Sequence, residues 1–168
     1  MTGRRESAVS LVDQVARHLE TAWIEQPLLA GIVERDFQRW VTEKVSNWLE
    51  RGPNTDLVVR GEASGGGVPY LRLLNTSFWP DICVGPSDSP TTLAVEVKSP
   101  KRRGLPGAVS HSIGQAMIYR LLYDQCLIVV IGMESIDTSF PRELADELSG
   151  NDISVLMLSP KPCPEVGS

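Results

Sequence analysis

The sequence is short of cysteine, of long apolar runs and of positive charge, and each shortage excludes a class of protein. Cys83, Cys126 and Cys163 are odd in number, scattered, and without a CxxC spacing. A disulfide framework and a thiolate metal site are therefore not expected, and the first two read as reduced thiols packed like small hydrophobes. No apolar run approaches the roughly 18–20 residues of a membrane span. The opening MTGRRESAVSL has neither the apolar core nor the small-residue cleavage site of a signal peptide, so a cytoplasmic protein with no membrane partner is expected. Basic residues number 16 against 21 acidic ones, a net charge of −5. A surface that grips nucleic acid all over needs more Lys and Arg than that. Only a local basic patch stays open, and the densest run is Lys101-Arg102-Arg103. Repeats, an interdomain linker and any separate helix-turn-helix or zinc module are missing too.

What is present suits one domain. The chain has 168 residues, 42% hydrophobic and 22% charged, enough to build a full core without staples. Residues 1–159 are expected to fold as a unit, with the Pro-rich 160–168 a disordered tail. Helical spacing of Val9, Val12, Val15, Leu19 and Trp23 predicts an amphipathic helix over 8–23. A second over 29–50 carries Val33, Phe37, Trp40, Val41, Val45 and Trp48 on one stripe and stops at Gly52-Pro53. DLVVRGEA reads as a strand, and YLRLLN as a further short one. DICVG and TLAVEVK follow as β-branched strands joined by the turn PSDSPT. After the loop SPKRRGLPG come a helix over 109–123, the strand CLIVVIG, the helix PRELADELSG and the strand ISVLML. Hairpin connections early and crossover helices late predict an α/β fold, a mixed central sheet flanked by helices.

Chemistry concentrates where the apolar pattern is broken. In TTLAVEVKS, alternation sends Leu93, Val95 and Val97 to one face and Thr92, Ala94, Glu96 and Lys98 to the other. Asp81 opens the preceding strand, so a hairpin pairing brings Asp81 alongside Glu96 with a lysine near both. Two carboxylates at one place need a cation or a shared proton. A hard divalent ion, Mg²⁺ or Mn²⁺, suits such an all-oxygen donor set.

Pro80-Asp81, a gap of fourteen residues, then Glu96-Val97-Lys98 resembles the PD-(D/E)xK nuclease superfamily, whose fold is restriction-endonuclease-like. QAMIY, from Gln115 to Tyr119, looks like the Q-x-x-x-Y signature of its exonuclease-like branch. ERDFQRW, from Glu34, is similar to the first-helix segment of archaeal Holliday-junction resolvases. The resemblance implies a core of helix, three strands, helix and strand over residues 29–131, with an extra N-terminal helix before it. It implies a metal-dependent nuclease acting on nucleic acid, chiefly DNA. Asp81 and Glu96 are then metal ligands, with the Val97 carbonyl a third and Glu34 an outer carboxylate. Lys98 is the catalytic lysine, and Gln115 positions substrate or that lysine. Tyr119 supports the site or contacts a phosphate, and Lys101, Arg102 and Arg103 lie along the nucleic acid.

Plainer readings compete. Asp81 after Trp79-Pro80 suits a turn, and Glu96 with Lys98 suits a solvated edge pair. Glu34 could be a solvent-facing charge, Gln115 and Tyr119 a polar helix face, and His111 a surface residue. The tryptophans read as core or interface, with only Trp79 placed to line a cleft. A nuclease-fold scaffold that binds without cutting is the rival that the acidic charge supports, and a subunit active only with a protein partner or as a homodimer comes third.

Overall fold

The computed structural model describes residues 10–28, 31–52, 56–61, 67–89, 91–99, 104–132 and 146–160. Two helices come first, α1 (Leu11–Glu25) and α2 (Glu34–Arg51). Four strands follow: β1 (Leu57–Gly61), β2 (Leu71–Leu73), β3 (Thr76–Phe78) and β4 (Ile82–Pro86). Then come β5 (Leu93–Lys98), α3 (Leu105–Tyr119), β6 (Gln125–Ile131) and β7 (Ile153–Leu158). The fold is α/β. Its main sheet has the order β1-β4-β5-β6-β7, antiparallel through β1, β4 and β5 and parallel through β5, β6 and β7. Parallel neighbours need a crossover, and α3 supplies the one between β5 and β6.

Strand alternation divides the core in two. Val95, Val97, Leu127 and Val129 pack with Val15, Leu19, Phe37 and Val41 of α1 and α2. Ala94, Cys126, Ile128 and Val130 pack on the other face with Val109, Ala116 and Tyr119 of α3. Each fully buried aliphatic contributes about 1.5–3 kcal/mol, and β5 is buried between these two layers. Cys83 and Cys126 are buried free thiols, as the sequence leads one to expect, while Cys163 lies outside the described residues.

Element boundaries differ from expectation where local chemistry intervenes. The second helix begins at Glu34 instead of residue 29, because Gly31 takes φ +84° and turns the chain just before it. Glu34 and Asp36 then occupy the first turn, where the helix dipole favours negative charge. The third helix runs 105–119 instead of 109–123. Its first turn absorbs Pro106, which lacks only an N–H the helix start does not use. Its end is drawn off by Arg120, whose guanidinium donates to the Tyr123 and Asn151 carbonyls and to Asp152.

YLRLLN does not extend the main sheet. β2 pairs with β3, a strand not expected from the residue pattern, in a separate hairpin. Its turn residues Leu74 and Asn75 have φ +46° and +63°, the two left-handed positions of a type I′ turn. Of the expected helix over 141–150, residues 146–149 are helical and the first half lies outside the described residues. Among the described residues no helix is long and apolar enough to cross a membrane.

Candidate active site

The antiparallel ladder sets the site. Ile82 of β4 pairs with Val95 of β5, so one step further along places Asp81 across from Glu96. There the backbone ladder is continued by a side chain: the Val97 N–H donates to Asp81 Oδ2 at 2.7 Å. Gln38, on α2, donates from Nε2 to Asp81 Oδ1 at 2.8 Å. Both oxygens of Asp81 are therefore fixed. Gly61 of β1 stands on the opposite side, and a Cβ there would lie 2.7 Å from the Asp81 carbonyl oxygen. Only glycine lets β1 come this close.

Glu96 is 3% exposed, on the central strand of the sheet. That removes the solvated edge pair as an account of it. Its Oε1 meets Lys98 Nζ at 2.8 Å, and its Oε2 lies 3.1 Å from the Tyr119 hydroxyl. Tyr119 Oη is also 2.7 Å from the Trp79 carbonyl oxygen, and it has a single proton to donate. Gln115 Nε2 donates to the same hydroxyl at 3.4 Å, while its Oε1 is buried without a partner. Lys98 Nζ lies 3.4 Å from Glu34 Oε1, and the Ser99 N–H donates to Glu34 Oε2 at 3.3 Å. The Ser99 hydroxyl donates to the Ile32 carbonyl at 2.6 Å, tying the entry of α2 to the end of β5.

The charges are out of balance. Three carboxylates, Asp81, Glu96 and Glu34, surround one ammonium. Burial, and then the negative charge of Glu96, push Asp81 from 3.8 up to about 7. Burial raises Glu96 as well, against the opposing pull of Lys98 and the hydrogen bond from Tyr119. Burial alone would lower Lys98, but the charge and hydrogen bond of Glu96, with Asp81 and Glu34 behind them, raise it. Lys98 is thus a fixed cation. Tyr119 is raised too, by burial first and Glu96 next, so its hydroxyl keeps its proton.

The donor set fits a hard cation. Asp81 and Glu96 offer only oxygen, each of those oxygens retains a second lone-pair direction, and the site carries negative charge that burial makes costly. Among the described residues no three His, Cys, Asp or Glu side chains converge as a metal-holding group. Two protein carboxylates with waters and a substrate phosphate are what Mg²⁺ uses elsewhere.

Of the residues singled out in the sequence, Glu34, Asp81, Glu96, Val97, Lys98, Gln115 and Tyr119 all lie in this one network. Tyr119 lies beneath it, 1% exposed with its hydroxyl engaged. A supporting role fits that position, and contact with a phosphate does not. Lys101, Arg102 and Arg103 lie outside the described residues. His111 is exposed on α3. Sequence reasoning missed Gln38 and Ser99. A signal for Gln38 existed: it follows Glu34 by four residues and so shares its helix face.

The class these features define is an α/β protein with a half-buried acid–lysine cluster at one end of its central strand. No family model, no curated protein and no solved structure matches the chain.

Proposed function

We propose that the protein is a divalent-metal-dependent nuclease that hydrolyses phosphodiester bonds, with DNA the leading substrate and a restriction-endonuclease-like core. One observation carries this reading: Asp81 stands across the ladder from Glu96, with the Lys98 ammonium 2.8 Å from Glu96. A cluster built only for stability would not gather three carboxylates around one lysine at the end of an otherwise apolar strand.

Asp81 and Glu96 would hold the ion, with the Val97 carbonyl beside them and Glu34 as an outer carboxylate. Bound there, Mg²⁺ or Mn²⁺ supplies positive charge to a phosphoryl oxygen and acidifies a water. The remaining work falls to the chain. Lys98, kept protonated by its carboxylate neighbours, sets a fixed charge where a phosphate in transit becomes more negative. Gln38 and the Val97 amide hold the Asp81 carboxylate in one orientation. The Tyr119 hydroxyl lies within reach of both the Trp79 carbonyl and Glu96, with one proton for the two, and Gln115 presents an unused acceptor to the same region. The net charge of −5 favours, as a second reading, a subunit whose nucleic-acid affinity comes from a partner.

The test is cleavage of single- and double-stranded DNA and RNA and a branched junction, with Mg²⁺, Mn²⁺ or EDTA. Wild-type protein should cut only with metal. Lys98→Ala should cut at least about a hundredfold more slowly, the effect of losing one transition-state donor, with an unchanged circular dichroism spectrum. Full activity in that variant would sink the mechanism. A wild-type protein that binds Mn²⁺ but cuts nothing would favour the partner-dependent subunit.

A further inference from the structure

The β2–β3 hairpin has one face on the protein and one in water. Leu71 pairs with Phe78, and Phe78 packs against the α3-side core. Arg72 pairs with Ser77, and by strand alternation Tyr70 and Trp79 continue that second face. Tyr70 and Trp79 are each 54% exposed, with ring centroids 5.1 Å apart and planes tilted by 34°. Arg72 is exposed and makes no ion pair among the described residues. The buried tryptophans contrast with this: Trp23 and Trp40 lie in the core with Phe37. The aromatic pair is also joined to the acid–lysine cluster. Trp79 is two residues before Asp81, and its carbonyl holds the hydroxyl that reaches Glu96.

We infer that Tyr70 and Trp79 form a stacking platform for an unpaired base of the substrate strand, with Arg72 meeting that strand's backbone. The inference rests on the nuclease reading for the identity of the ligand, and it narrows the substrate to single strands and to the unpaired parts of branched or frayed ones. Every base has a flat π-face, so two half-exposed aromatic rings can hold a strand without reading its sequence. A base inside a duplex is already stacked on its neighbours and cannot lie on them without being unpaired first. The charge points the same way. A protein of net charge −5 has few cations to spend on a duplex backbone, whereas stacking needs only one arginine beside it.

The experiment is fluorescence anisotropy with a labelled thymidine oligonucleotide and a labelled blunt duplex, in EDTA so that nothing is cut. Wild-type protein should bind the single strand more tightly than the duplex, with its tryptophan emission quenched. Trp79→Ala should weaken single-strand binding about tenfold or more, within the range of one base–aromatic stack. Trp79→Phe should keep most of the affinity but lose most of the quenching, and Tyr70→Ala should fall between. Both positions are half-exposed, so folding should be unaffected. Equal affinity for the two probes, no binding of either, or single-strand binding indifferent to Trp79→Ala would overturn the inference. The nuclease reading is judged apart, by metal-dependent cutting: cutting with indifferent binding leaves it standing, and stacking without any cutting removes it alone.

Discussion

β5 and β6 lie side by side in parallel register, both under α3 on one face and under α2 and α1 respectively on the other, yet their sequences obey different rules. From Cys126 to Ile131, β6 is apolar at every position. β5 matches it through Leu93, Ala94 and Val95, then places Glu96 beside Ile128 and Lys98 beside Val130. Both strands are buried along most of their length, so burial does not explain the charges on one of them. The neighbouring strand on the far side differs as well. β6 has β7, whose Val155 and Met157 stand beside Ile128 and Val130. β5 has the start of β4, where the ladder gives way to the Asp81 side chain. Charge is tolerated inside this sheet only where partners for it converge from α2, α3 and β4 together.

Copying the charge to the other strand should break the comparison most severely. Ile128→Glu puts an unpaired carboxylate into the α3-side core, with an expected loss of about 3–5 kcal/mol. Thermal denaturation should show a much lowered Tm or no cooperative transition. Making β5 resemble β6 is the converse. Glu96→Leu together with Lys98→Met removes both members of a buried pair, and such replacements are neutral or stabilising by about 1–4 kcal/mol. The double variant should melt no lower than wild type while cutting no substrate, which separates what the pair does for folding from what it does for chemistry.

A gentler intervention concerns protons. Asp81 titrates at about 7 in the fold against 3.8 ordinarily, so between those values the folded chain holds a proton that the unfolded chain has lost. Its contribution to stability is complete below 3.8 and is lost as the pH climbs through 7. Wild-type Tm should therefore fall between pH 5 and about pH 8. Asp81→Asn, which cannot ionise, should flatten that fall and raise Tm at the alkaline end. A steeper fall in the variant would contradict the assignment. The smallest effect belongs to Gln38→Ala, which frees Asp81 Oδ1 at a cost of about 1 kcal/mol. It should slow cleavage several-fold without abolishing it, as read in the same gel assay.

Much of this was legible in the chain. Alternation in TTLAVEVKS set the two faces of β5, and the turn after DICVG aligned Asp81 with Glu96, because both depend on local pattern alone. The helix residues were harder. Glu34 was found through its place before Phe37, whereas Gln38, one turn on, looks like any polar residue on an amphipathic helix until the sheet stands opposite it. β3 was hidden for another reason. A two-residue type I′ turn is normally announced by a pair such as Asn-Gly, and here Leu74, fully exposed at φ +46°, and Asn75 take its two positions instead. Trp79 was recognised as the one tryptophan that could line a cleft, but its packing against Tyr70 needed the hairpin.

Gly61 has a practical consequence for the chemistry two strands away. It carries no charge and no side chain, and it pairs with Ile82 as its place in the ladder requires. Yet the space its missing side chain leaves is filled by the backbone oxygen of Asp81. A methyl group at this position would displace the acid while every participant kept its identity. Position 61 therefore works as a tuning screw for the spacing of the cluster: it shifts the acid with every polar position intact, where substitutions in the cluster itself remove a participant outright.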